Sequence, residues 1–91
     1  MIHKIKGVFP LPGNELSVQF SEGVTKIYDV KPLFKRIKEF KVLKDNPELF
    51  ESVSVHVGGY GIIWNDDLDI SCDELWDHGT EIKTPFDDIM H

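Results

Sequence analysis

The segment Glu15–Phe20 alternates strictly, with Leu16, Val18 and Phe20 on one side and Glu15, Ser17 and Gln19 on the other. Period two is the pattern of a strand buried on one face and wet on the other. The residues that bound it are turn formers. Pro10-Leu11-Pro12-Gly13-Asn14 precedes it and Ser21-Glu22-Gly23 follows, and each group mixes residues that fix φ with residues that release it. With Ile2–Phe9 before and Val24–Val30 after, the pattern predicts three strands in an antiparallel meander.

Pro32 then stands at a first helical position, where its missing N–H costs nothing. Leu33, Phe34, Ile37 and Phe40 recur on one helix face, and Lys35, Arg36, Lys38 and Glu39 cover the other, which predicts a basic amphipathic helix of about two turns. Asn46-Pro47-Glu48 reads as a second helix start. Asn46 is placed to accept hydrogen bonds from free N–H groups, and Glu48 complements the positive helix end. Val53–Val57 alternates as a strand, Gly58-Gly59 signals a hairpin, and Tyr60–Trp64 returns as its partner. Leu68-Asp69-Ile70 either extends that strand or forms a short one after an Asn65-Asp66-Asp67 turn. Ser71-Cys72-Asp73-Glu74 is a capping box for a last short helix, with Gly79 as its stop. The resulting expectation is an α+β fold: an antiparallel sheet of about five strands, meander plus hairpin, with two or three short helices packed on one face. Residues 1–79 form one domain. Residues 80–91 form a C-terminal tail, docked or flexible, that carries Ile82, Phe86, Ile89 and Met90.

The length of 91 residues sets the count at one domain, and 41% apolar against 29% charged residues decides against disorder. A single cysteine, Cys72, leaves no internal disulfide to form. Neither a secretory leader nor an apolar run of membrane-spanning length is present, so the expected location is the cytoplasm, with no membrane partner. The charge is unevenly distributed. Met1–Lys44 carries nine Lys/Arg and four Asp/Glu, whereas Asp45–His91 carries one basic residue, Lys83, and twelve acids. Such a division steers association more than it supports chemistry.

Candidate chemistry is sparse. Asp67-x-Asp69-x-Ser71-x-Asp73 has the oxygen spacing of a calcium loop, but Cys72 occupies the position of the sharp-turn glycine and His78 that of the bidentate acid, so no metal is expected. Cys72 sits at a predicted helix start, which favours a thiolate, yet the surrounding carboxylates disfavour it and no base is evident. Gly58-Gly59-Tyr60-Gly61 leads into a strand, whereas a phosphate cradle leads into a helix. No cofactor is expected. The basic residues Lys4, Lys6, Lys31, Lys35, Arg36, Lys38, Lys41 and Lys44 could form a nucleic-acid patch, but the formal net charge of −6 and the lack of a recognition motif argue against direct nucleic-acid binding.

The order of motifs resembles a small bacterial family, domain of unknown function 2442. The residues that carry the likeness are Leu16–Gly23, Tyr28-Asp29-Val30-Lys31-Pro32-Leu33, Phe40–Phe50, Val53-Ser54-Val55, Gly61–Trp64 with Asp67-Leu68-Asp69, and Asp73-Glu74-Leu75-Trp76. Asn46 is an insertion relative to the family pattern, Lys31 replaces a small capping residue, and Glu22 stands where the turn usually has Asp. The resemblance implies a compact α+β domain without catalytic residues, in a family whose members are described as antitoxin components encoded beside small toxin-like proteins. It therefore implies a non-enzymatic interaction domain that binds a small basic protein encoded nearby. The expected contact residues are Asp66, Asp67, Asp69, Asp73, Asp77, Asp87 and Asp88 for charge. Tyr60, Trp76 and Phe86 would be aromatic anchors, with Trp64 and Phe50 in the core. Two other readings stay open: a small-molecule ligand-binding module, and a homo-oligomer whose charged halves pair head to tail.

Overall fold

The computed structural model describes residues 2–82. Strand β1 (Ile5–Leu11), β2 (Glu15–Phe20) and β3 (Thr25–Asp29) form the expected meander. β2 pairs antiparallel with both neighbours, Val8 facing Val18 and Leu16 facing Tyr28. Its alternation is realised fully: Leu16, Val18 and Phe20 are completely buried. The β1–β2 loop is only Pro12-Gly13-Asn14, and it closes with Gly13 and Asn14 both at positive φ, +77° and +59°.

A helical stretch follows. Helix α1 (Lys31–Arg36), a 3₁₀ turn (Lys38–Phe40), α2 (Lys41–Asp45) and α3 (Pro47–Glu51) run in sequence. The single amphipathic helix expected here is broken at Ile37, which is extended at φ −130° and ψ 111° and 38% exposed. Leu33, Phe34 and Phe40 are buried as the periodicity requires. The break turns the chain between them and leaves Ile37 off the core face. Asn46 does not cap α3; its amide donates instead to the Val42 carbonyl at 3.0 Å and finishes α2.

The second half forms a separate three-stranded antiparallel sheet of β4 (Ser54–Val55), β5 (Gly61–Asn65) and β6 (Leu68–Ser71). Helix α4 (Cys72–His78) follows directly, and β7 (Thr80–Glu81) returns to the first sheet beside β3, giving the order β1-β2-β3-β7. The fold is α+β. Its strands number seven among the described residues, in two sheets, because Leu68–Ser71 is a strand in its own right and the start of the tail pairs with Lys26 and Ile27. One core joins the two sheets: Phe20 and Val18 from the first and Ile62 and Leu68 from the second belong to the same buried cluster, with Leu43 and Phe50 from the helices. Trp64 packs there as expected, and its indole N–H donates to the Phe50 carbonyl at 2.9 Å. Among the described residues, no helix is long and apolar enough to cross a membrane.

Candidate partner-binding surface

The segment from Asn65 to His78 buries one side and charges the other. The Asn65 side chain accepts the Asp67 N–H at 2.9 Å, which fixes the β5–β6 turn and leaves Asp66 and Asp67 exposed. Along β6, Leu68 and Ile70 point into the core while Asp69 and Ser71 point out. Ser71 then caps α4, its hydroxyl accepting the Glu74 N–H at 3.2 Å. Within α4, Cys72 and Leu75 are buried; Asp73 and Asp77, four apart, share an exposed face. Five carboxylates thus leave one turn-strand-helix unit for solvent. Among the described residues, none of the five pairs with a cation. No group of three or more His, Cys, Asp or Glu is placed to hold a metal ion among the described residues.

The capping box is only half formed. Glu74 does not reach back to Ser71. Its Oε2 accepts the Tyr28 hydroxyl at 2.8 Å, and its Oε1 lies 3.3 Å from His78 Nδ1. Tyr28 is a core residue, and burial, followed by the hydrogen bond and the negative charge of Glu74, pushes its phenol well above the ordinary tyrosine value. This contact ties α4 to β3. On the far side of β3, burial raises Asp29, but the Lys31 ammonium at 2.9 Å and the Lys31 N–H at 3.0 Å outweigh it and hold the carboxyl below the ordinary range.

The predicted aromatic anchors have different fates. Tyr60 is half exposed and lines an open groove of about 200 Å³ with Asp69, Ser71 and His56, so the fold brings Tyr60 and Asp69 together. Lys4 Nζ lies 5.2 Å from the Tyr60 ring centroid. Tyr60 is presented by a 3₁₀ turn, Val57–Gly59, in which Gly59 has φ +79° and runs so close to β1 that a Cβ would meet the Ile5 carbonyl at 2.7 Å. Trp76 is engaged within the chain. Its ring stacks on His3 with centroids 3.6 Å apart, takes the edge of Phe20 at 4.9 Å, and has Lys26 Nζ at 4.2 Å. The Lys26 ammonium also donates to the Trp76 carbonyl, and His3 Nδ1 meets Glu22 Oε1 at 2.8 Å. Phe86, Asp87 and Asp88 lie outside the described residues.

These elements match a known pattern over nearly their whole length. The model of a family described as protein of unknown function (DUF2442) matches residues 5–81. The chain belongs to this family. No curated protein and no solved structure matches it. The DUF2442 match runs from the first residue of β1 to the last of β7, so it includes the whole acidic unit. The His3–Trp76–Lys26 cluster, which joins the DUF2442 domain to a residue just before it, is not legible in the sequence, because its members come from three distant segments and carry no shared spacing.

Proposed function

We propose that this chain is a non-enzymatic interaction domain that binds a small basic protein, in the manner of an antitoxin, through the acidic unit Asn65–His78. The single observation that carries this reading is the set of five outward carboxylates, Asp66, Asp67, Asp69, Asp73 and Asp77, without a cation partner among the described residues. A row of carboxylates without ion pairs costs self-repulsion in the free protein, only partly offset by Arg36 in the groove beside Asp69, and a basic partner relieves it. The same field speeds encounter and rejects acidic partners. Tyr60, half exposed beside Asp69, supplies apolar area within the same surface. The open form of the Tyr60–Asp69 groove suits a protein surface better than an enclosed small ligand.

The partner inferred from the family resemblance is a small basic protein encoded beside this one. The test is co-expression of the two, followed by gel filtration and stopped-flow association at low and high salt. A stable complex is expected. Replacing the five aspartates by asparagine should lower the association rate by about tenfold or more, because charges at an interface act mainly on encounter. Separate elution of the two proteins at low salt removes this reading.

A further inference from the structure

We propose that the groove between the β1–β2 loop and helices α1 and α2 holds a single strand of nucleic acid by its phosphates. The basic residues of the first half, scattered along the sequence, are sorted by the fold. Lys4 goes to Tyr60 and Lys26 to Trp76. Lys31, Lys35, Lys41 and Lys44 converge on one open groove of about 540 Å³. Among the described residues, one carboxylate, Asp45, lines it. Lys31 is fixed in place, its ammonium donating to the Gly13 carbonyl at 2.6 Å and pairing with Asp29. Lys35, Lys41 and Lys44 are exposed and make no ion pair or side-chain hydrogen bond among the described residues.

Two features select a strand of phosphodiester. Lys31 and Lys35 are four apart on α1, and Lys41 and Lys44 are three apart on α2. Each pair therefore has Cβ atoms roughly 5–6 Å apart, within reach of successive phosphates along one strand. The groove also continues. Asn14 and Lys44 border a second open groove of about 420 Å³, lined also by Pro10, Pro12, Pro47 and Glu51. Together they make a track with ammonium groups at one end and apolar proline surface at the other, so the phosphates rather than the bases carry the contact. A duplex read through its major groove calls for an inserted recognition element, and α1 and α2 are only six and five residues long. Lysine binds phosphate as a point charge, so the contact is tolerant of sequence. The net charge of −6 conceals this surface, because acids beyond a Debye length of about 8 Å are screened at physiological salt.

The experiment is fluorescence anisotropy with labelled mixed-sequence single-stranded oligonucleotides of about 12 nucleotides, in RNA and DNA form. Binding is expected, and should weaken about twenty-fold between about 50 and 200 mM salt, the fall for the three phosphates that Lys35, Lys41 and Lys44 neutralise on a single strand. The triple variant Lys35→Glu/Lys41→Glu/Lys44→Glu, which changes only exposed side chains, should lose at least about tenfold in affinity with its circular dichroism unchanged. Asp73→Asn/Asp77→Asn should keep or raise the affinity, so failure of the acidic surface and failure of this groove are read separately. No anisotropy change at low salt, equal binding by the triple variant, tighter binding to a duplex than to the single strand, or equal competition by polyglutamate would each overturn the proposal.

Discussion

At Tyr28, a residue only 4% exposed, the phenol O–H donates a hydrogen bond 2.8 Å long to Glu74. Ionising it would put a second negative charge beside the carboxylate inside the joint between β3 and α4, and so its pKa lies above the ordinary value of 10.0. In the unfolded chain the phenol ionises near that ordinary value. Between it and the raised folded value the unfolded state holds fewer protons, so stability falls as pH rises above about 10. Tyr28→Phe should cost about 1 kcal/mol at neutral pH through the lost bond, and should remove this alkaline loss. Urea titrations at neutral pH and above pH 10 check both, and an unchanged alkaline slope in the variant would assign the loss to another group. The Tyr28–Glu74 pair was not legible in the sequence. Glu74 has the position of a capping-box acid, and local spacing gives no hint that a tyrosine 46 residues away competes for it.

Among elements, α4 shows both what spacing reveals and what it hides. Ser71 was readable as the cap because a cap needs only a hydroxyl and a nearby N–H, both local. Gly79 was readable as the stop, but for a different reason. Its backbone, at φ −79° and ψ 157°, is open to any residue. A Cβ there would instead lie 2.6 Å from the Leu75 carbonyl and 3.0 Å from Lys26 Cβ. Glycine lets α4 end against β3, beside the lysine that holds Trp76. Gly79→Ala should therefore cost about 1–3 kcal/mol by overpacking and shift Trp76 emission as the helix end moves. A change of a few tenths of a kcal/mol with unaltered emission would mean that Lys26 gives way freely. The break at Ile37 was hidden for a related reason. Leu33, Phe34 and Phe40 bury in the same order whether or not the helix is continuous, and no glycine or proline marks the site.

Over the whole molecule, the two halves of the charge pattern were unequally legible. The acids are neighbours in sequence on one turn-strand-helix, so their shared surface follows from local structure. The lysine groove is assembled by the β1–β2 loop and two short helices, and only the fold brings it together. Charge is divided in this way, but the core is not. Phe20, Tyr28 and Leu75 share a cluster with Ile62, Trp64 and Leu68, so neither sheet has an apolar face of its own to bury without the other. A domain with one core should unfold in one step. The two tryptophans can test this, because Trp64 packs against Phe40 and Phe50 on the helical side while Trp76 packs against Phe20 on the meander. In Trp64→Phe the remaining fluorescence reports the meander and α4; in Trp76→Phe it reports the second sheet and α3. Each variant will shift its own midpoint, since Trp64→Phe also removes the donor to the Phe50 carbonyl. The comparison is therefore made within each protein, between fluorescence and far-ultraviolet circular dichroism across a urea titration. The two curves should coincide in both variants. If the Trp76 signal outlasts the loss of secondary structure in Trp64→Phe, the meander with α4 is a unit that survives alone, and the shared core does not couple the sheets.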